Sequence, residues 1–345
     1  MNSDSKPALA GESSRRDFMQ RMGTLAVASS LVANANAAPA PQMPMVRFGK
    51  HMISRLIIGI NTLYGESHLS RFIDLEMSAW YTPERLVKTW KHCEELGINL
   101  MVQANDFAAK YNTALNGKML FSCSDIFPVA TDGTLLNPSS LIQKMAKLGP
   151  ISIHLAGYGE GGSDSLWRRG QLGKAREWCK MVRDTGLLVA VTSHRPEVFM
   201  EIESQGWDVD YYMCCLYKYG RTAAEWRKAF ASNPEMMPAE LWHTKEEITP
   251  HYGGETAFAA GDPYDMFKVV KATRKPCFVY KLLASGRLCE KPEFVEARFK
   301  EVFENIKPSD AVVVGMYDKH EDQYAINAGL VGKYGSNTRS PASSA

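Results

Sequence analysis

The chain has 345 residues, with 40 Lys or Arg against 38 Asp or Glu, and its formal net charge is only +2. This balance gives no electrostatic case for nucleic acid as a partner. The seven cysteines are odd in number and lack CxxC spacing, which argues against a zinc ribbon or a disulfide framework. We expect them to be buried as small apolar residues, and a single disulfide is the alternative for two of them.

Residues 1–37 are predicted to be a signal peptide. Arg15 and Arg16 precede Phe18 and an alanine-rich apolar stretch, which is too short to span a membrane and has no polar helical face. A small-x-small sequence ending at Ala37 predicts the cleavage site. The segment resembles a twin-arginine (Tat) export signal, which implies a protein that crosses the membrane already folded. We therefore expect a periplasmic or secreted protein with residues 38–45 as a tether and no membrane span after processing.

Short β-branched runs alternate with helical patterns over residues 46–335, which is typical of repeated βα units. Helices are predicted at 82–97, with Thr82 as N-cap, and at 172–186, 195–206, 222–230, 262–274 and 291–306. Strands are predicted at 55–61, 98–105, 118–124, 151–157, 187–194, 209–217, 277–283 and 311–317. Eight strands alternating with helices predict an α/β fold, a single (β/α)8 TIM barrel.

Two segments do not follow this alternation. Residues 233–261 form an insertion rich in Pro, Gly, Trp and His, and a long connection without periodicity is either disordered or a lid. Its aromatic content favours an ordered lid over the site. Residues 336–345 are predicted to be a disordered tail.

Polar side chains close most of the predicted strands, where TIM barrels carry their chemistry. His154, His194 and Lys281 are the catalytic candidates, because two histidines suit proton transfer and a lysine suits the stabilisation of negative charge. Lys281 is equally compatible with a salt bridge at the rim. The substrate-binding candidates at the same level are Asn61, Asn105, Asp106, Tyr217, Lys218, Arg287 and Asp318.

A divalent metal is a second use for the two histidines. His154 and His194 would ligate it if a carboxylate such as Asp106, Asp125, Glu160 or Asp210 joined them, and Glu160, in the glycine-rich loop GYGEGG, completes the predicted set. Because HxH and HExxH spacings are absent, this prediction rests on the strand ends alone.

The beginning and end of the chain resemble aldo/keto reductases. VRFGKHMISRLIIGINTLYG and CEELGINLMVQANDF are similar to that family's first two units, and DAVVVGMYDKHEDQYAINAGLV to its last unit. The resemblance implies that His154 is the family's catalytic histidine and that Gln323 and Asn327 lie on the helix that binds NADP(H). The tyrosine and lysine of the family's tetrad have no clear match, since Tyr111 fits only with a shifted register and Ser122 replaces the lysine.

The middle of the chain, residues 153–217, is similar to uncharacterised exported barrel proteins of bacteria that degrade many carbohydrates. Together these observations predict an exported enzyme that acts on a carbohydrate or related polyhydroxylated or keto-sugar substrate by non-redox acid–base chemistry. Lyase, epimerase and hydrolase reactions all remain open, as does the oligomeric state. The alternatives are an NAD(P)H-dependent oxidoreductase and a barrel that binds a small molecule without catalysis.

Overall fold

The computed structural model describes residues 42–219, 221, 223–231 and 258–336. A two-stranded antiparallel hairpin is followed by eight parallel strands, which close into a barrel because the last strand pairs with the first of the eight. The hairpin strands are β1 (Met45–Phe48) and β2 (His51–Ser54). The barrel strands are β3 (Leu56–Gly59), β4 (Leu100–Met101), β5 (Leu120–Asp125), β6 (Ser152–Leu155), β7 (Leu188–Ser193), β8 (Tyr211–Cys215), β9 (Cys277–Tyr280) and β10 (Ala311–Gly315). The predicted (β/α)8 barrel and its eight strands are confirmed.

Helices surround the barrel and return the chain between parallel strands. They are α1 (Arg71–Trp80), α2 (Pro83–Glu95), α3 (Asp106–Leu115), α4 (Ser139–Ala146), α5 (Ser163–Arg168), α6 (Leu172–Arg183), α7 (Pro196–Ser204), α8 (Ala223–Ala229), α9 (Asp262–Ala272), α10 (Pro292–Asn305) and α11 (Gln323–Tyr334). The predicted start of α2 is confirmed, because Thr82 Oγ1 accepts a hydrogen bond from the backbone N–H of Arg85 at 3.3 Å.

The predicted signal peptide, residues 38–41 of the predicted tether, residues 233–257 of the predicted lid and residues 337–345 of the tail lie outside the described residues, while Met45, the last tether residue, begins β1. Helix α9 begins directly after the lid segment. In the part of the chain that is described, no helix combines the length and apolar character that a membrane span requires. All seven cysteines are free thiols, and six of them are buried, while Cys289 is exposed.

The hairpin closes the N-terminal end of the barrel with apolar side chains. The Phe48 ring lies 4.8 Å from the ring of Tyr211 and 4.9 Å from that of Phe278, both of which point into the barrel. Ile53 and Ile57 are fully buried in the same cluster. This packing leaves the opposite end of the barrel for polar groups.

Hydrogen-bonded polar side chains also lie inside the barrel, on β6, β7 and β8. Ser152 and Tyr211 are hydrogen-bonded through their hydroxyl oxygens, 2.9 Å apart, and His154 Nδ1 lies 2.7 Å from Thr192 Oγ1. All four residues are buried. The interior therefore combines the apolar cluster with hydrogen-bonded side chains: Ser152 and Tyr211 begin their strands, whereas His154 and Thr192 lie nearer the strand ends.

Candidate active site

His194 follows the last residue of β7 and is held by Asp164, in the first turn of α5. Asp164 Oδ2 lies 2.7 Å from His194 Nδ1, and both residues are buried. The same carboxylate accepts hydrogen bonds from Ser193 Oγ at 2.5 Å and from the backbone N–H of His194 at 3.2 Å. An ionised carboxylate only accepts, so this network assigns the proton of the neutral ring to Nδ1 and leaves Nε2 as an acceptor.

The free edge of the imidazole meets Tyr280 at the end of β9. The Tyr280 hydroxyl lies 3.1 Å from His194 Nε2 and donates to it in this tautomer. Burial raises the pKa of Tyr280 well above its usual range, so the hydroxyl stays protonated at every ordinary pH. Asp164, His194 and Tyr280 thus form one hydrogen-bonded line across three βα units.

A glycine-rich loop allows the aspartate to approach the histidine. A Cβ atom on Gly157 would lie 3.0 Å from His194 Nδ1 and 3.3 Å from Asp164 Oδ2. At Gly161 and Gly162 a Cβ would come within 2.1 Å and 2.0 Å of backbone oxygens. The GYGEGG sequence therefore permits close backbone packing under His194 rather than an open approach for a ligand.

Two further side chains complete the group around His194. The ring of Tyr219, which follows β8, stacks on the imidazole with centroids 4.4 Å apart and planes 10° apart. Lys281 follows Tyr280, donates a hydrogen bond to the Tyr219 hydroxyl, and places its ammonium nitrogen 4.3 Å from that ring's centroid. Lys281 has φ +61°, a left-handed conformation that is uncommon for a side chain of this size.

A cavity of about 290 Å³ opens beside His194, between α7 and α9. This volume is at the small end of the range for small-molecule sites. Its polar lining pairs charges of both signs, since the Lys218 ammonium lies 2.5 Å from Glu197 and Arg221 binds Asp262. Burial raises the pKa of Asp262 above its ordinary value, against the opposing effect of Arg221. The apolar part of the lining includes Met200, Leu216, Met266 and Val269.

His154 lies deeper in the barrel than His194. The register of β6 and β7 places it opposite Ala190, four residues before His194, and it is fully buried. Burial lowers the pKa of His154 to about 3, so the ring is neutral near pH 7. The sequence pattern predicted that His154 and His194 share one site, whereas the structure separates them along the barrel axis.

The predicted metal set of His154, His194 and Glu160 is not assembled, and we correct it. Glu160 is exposed, and both histidines use Nδ1 in hydrogen bonds to Thr192 and Asp164. Over the residues that the structure describes, no three His, Cys, Asp or Glu side chains are grouped to hold an ion. The physical reason is the loop, which turns Glu160 towards solvent after Gly159.

The predicted substrate-binding residues divide into two groups. Lys218 lines the cavity. Tyr217 and Arg287 both contact Phe258: the Tyr217 ring lies 4.7 Å from the Phe258 ring, and the Arg287 guanidinium lies 4.4 Å from the centroid of the Phe258 ring. The other four bind side chains or backbone near them and do not line the cavity. Asn61 Nδ2 lies 2.8 Å from His68 Nε2, and Asn105 Oδ1 accepts a hydrogen bond from the Ser124 N–H at 3.3 Å. Asp106 pairs with Lys110 at 3.0 Å, and Asp318 pairs with Arg85 at 2.9 Å.

The reductase tetrad is not reproduced at the matching positions. The Tyr111 hydroxyl donates to Glu94 at 3.1 Å, in the packing between α2 and α3 and outside the barrel. Gln323 Oε1 accepts from the backbone N–H of Tyr317 at 2.9 Å, and Asn327 is buried on α11.

Sequence reasoning missed Asp164, Tyr219 and Tyr280. The only available signal was their position: Asp164 lies in the first turn of a helix after a strand-end loop, Tyr280 ends β9, and Tyr219 lies in the loop after β8. Aromatic residues at such places are indistinguishable from core residues without the register.

The barrel shape recurs among solved structures. It is similar to a glycerol dehydrogenase from Gluconobacter oxydans, with 11% identity, TM-score 0.44 and coverage of 88% of this chain and 99% of that one. It is also similar to an N-acetylmannosamine-6-phosphate 2-epimerase from Clostridium perfringens, with 12% identity, TM-score 0.40 and coverage of 83% and 93%. No protein-family model and no curated protein matches the sequence. Similarity at this level identifies neither a family nor a reaction.

Proposed function

We propose that the chain is an exported barrel enzyme that acts on a carbohydrate or related polyhydroxylated or keto-sugar substrate by non-redox acid–base chemistry. The observation that carries this proposal is the line of Asp164, His194 and Tyr280 at the C-terminal end of the barrel. His194 lines the cavity, with one ring nitrogen fixed by a buried carboxylate and the other hydrogen-bonded to a tyrosine hydroxyl, and such a histidine is suited to proton transfer.

His194 Nε2 is the proton acceptor in this proposal. When it takes a proton from the substrate, the ring becomes an imidazolium whose charge is balanced by Asp164 at 2.7 Å. Tyr280 then accepts a hydrogen bond from Nε2–H instead of donating one, so the ring keeps its orientation in both states. The ammonium of Lys281 stabilises negative charge that develops on the substrate.

The cavity supports a small substrate rich in hydroxyl groups. Glu197, Lys218, Arg221 and Asp262 supply donors and acceptors close together, while the apolar residues opposite suit the C–H face of a sugar ring. His154, inside the barrel and below His194, is neutral near pH 7 and is assigned to holding Thr192 rather than to titration during turnover.

A nicotinamide-dependent reductase is the alternative function, and a barrel that only binds its ligand is a second one. The reductase is disfavoured because the Tyr111 hydroxyl binds Glu94 and because Ser122 stands where the family has its lysine. Both alternatives are outcomes of the experiment below.

Export is proposed from the sequence of residues 1–37, which include Arg15 and Arg16. Cell fractionation of the full chain and of a variant with Arg15→Lys and Arg16→Lys tests it. We expect the unaltered chain in the periplasm or medium and the variant in the cytoplasm. Equal distribution of the two proteins would contradict twin-arginine export.

The activity is tested by incubating the mature protein with glycosides, uronates and keto sugars and measuring product mass, with and without NADPH. We expect a cofactor-independent product that is isomeric with the substrate, cleaved, or cleaved with added water. A product two hydrogens heavier that forms only with NADPH would establish the reductase. Ligand binding without any product would establish the binding-only barrel.

A further inference from the structure

Tyr219 contacts His194, the base of the proposed function, but has no role in the proposal above. Its ring is stacked on His194, and its hydroxyl accepts a hydrogen bond from Lys281. A tyrosine hydroxyl both accepts and donates, so its own O–H proton is directed away from Lys281. Two groups that carry protons, an imidazole and a phenol, are therefore in direct contact, and the imidazole lines the cavity.

Buried interactions fix the position of Tyr219. Arg195 is buried, and its guanidinium donates to the backbone oxygen of Tyr219 at 3.4 Å and pairs with Glu225 at 3.0 Å. The guanidinium also lies 4.8 Å from the centroid of the Trp167 ring. The loop after β8 is thus tied to α7 and α8, and Tyr219 is not a mobile surface residue.

The backbone at Lys281 is strained on the other side of the pair. Lys281, Ala284 and Ser285 have φ values of +61°, +48° and +52°, in the left-handed region. Residues other than glycine are strained in this region, and such strain is concentrated at functional sites. Here it directs an ammonium group at a phenol oxygen, which favours the phenolate over the phenol.

We propose that Tyr219 is a second catalytic residue, the acid that acts together with the base His194. This inference rests on the proposed function. His194 Nε2 takes a proton from substrate carbon or oxygen, and the Tyr219 O–H gives its proton to the leaving oxygen or to the carbanion. The electron pair of the broken O–H bond stays on the phenolate, where Lys281 stabilises it, and the phenolate regains a proton from solvent or from His194.

A pair of proton-transfer groups favours particular reactions. Epimerisation next to a carbonyl needs one group to remove a proton and another to return one, and elimination needs an acid for the leaving oxygen. The substrate class that fits is a sugar with an acidic C–H beside a carbonyl or carboxylate, such as a keto sugar or a uronate.

The first test follows ionisation of the 14 tyrosines by ultraviolet absorbance. The Lys281 ammonium favours the phenolate of Tyr219, so we expect one tyrosine of the unaltered protein to ionise at a lower pH than it does without that ammonium. Tyr219→Phe should remove this step, Lys281→Met should move it to higher pH, and the matched control Tyr334→Phe should retain it. Superimposable curves for the unaltered protein and Tyr219→Phe up to about pH 10 would overturn the inference.

The second test uses the substrate found by the screen. Tyr219→Phe should lower kcat by about 10²–10⁴-fold and remove the alkaline limb of the pH profile, with KM nearly unchanged. Tyr334→Phe, on α11 with its hydroxyl on Glu296, should retain full turnover. If His194→Gln abolishes turnover while Tyr219→Phe retains it, only this inference fails. If His194→Gln retains turnover, the proposed function fails as well.

Discussion

Replacing Asp164 with asparagine tests how the carboxylate controls His194. Ser193 Oγ and the His194 backbone N–H both donate to Oδ1, at 2.5 Å and 3.2 Å. In Asp164→Asn these donors select the amide oxygen for that position, so the NH₂ group takes the place of Oδ2. It then faces His194 Nδ1, which lies 2.7 Å from Oδ2 in the unaltered protein. Two N–H donors repel each other, and the ring moves its proton to Nε2.

The expected loss of activity is large because Nε2 is then no longer an acceptor. The same exchange in a serine protease triad lowers kcat by about 10⁴-fold through the wrong tautomer. We therefore expect a 10³–10⁴-fold loss here, equal to about 4–5.5 kcal/mol of transition-state stabilisation. The number of hydrogen bonds is conserved, so the free energy of unfolding should fall by only about 1–2 kcal/mol.

The assay needs no substrate for its first part. The ¹⁵N chemical shifts of the histidine side chains report which ring nitrogen carries the proton, and His194→Gln identifies the signals of His194. The control Asp132→Asn alters an exposed aspartate that accepts from Thr134 N–H at 2.9 Å. An Asp164→Asn variant that keeps the Nδ1–H tautomer, or turns over within about threefold of the unaltered protein, would refute this reasoning.

Three further predictions concern the barrel around the site. Because burial lowers the pKa of His154 to about 3, the unfolded chain binds a proton below about pH 6.5 that the folded chain does not. Denaturant unfolding should show roughly 2–3 kcal/mol of stability lost by about pH 4.5, and a His154→Gln variant with a parallel pH profile would contradict this. Gly157→Ala should lower kcat about tenfold, because its Cβ would lie 3.0 Å from His194 Nδ1. The control Gly173→Ala, where a Cβ meets no atom within 4 Å, should leave kcat unchanged. Equal rates for the two variants would contradict the close contact. The Arg55 guanidinium donates to three backbone carbonyls at 2.5–3.0 Å. Arg55→Lys should therefore lower the free energy of unfolding, measured by denaturant, by about 2–4 kcal/mol. A decrease below about 0.5 kcal/mol would contradict this structural role.

The barrel was predictable from the sequence because short apolar, β-branched runs alternate with helical patterns. The hairpin was not separated into strands, since MVRF and HMIS are four residues long and alternate only weakly. Helix α5 was also missed, because six residues are too few to show a period of 3.6.

The site was predictable only in part, because depth in a barrel depends on register. His154 and His194 look equivalent at strand ends, yet one is sealed below the other. Asp164 has the signature of an ordinary first-turn carboxylate, and its contact with His194 depends on the packing that Gly157 permits. Lys281 was selected for its position, while its partner Tyr219 comes from another strand, and strand pairing is not visible in the sequence.

The most direct test of the account is the turnover of His194→Gln on the substrate that the mass screen identifies, measured beside the unaltered protein without NADPH. The account predicts that the unaltered protein turns over without cofactor and that the variant loses about 10²–10⁴-fold in kcat while it still binds the substrate. Turnover that requires NADPH, or a variant as active as the unaltered protein, would contradict acid–base catalysis by His194.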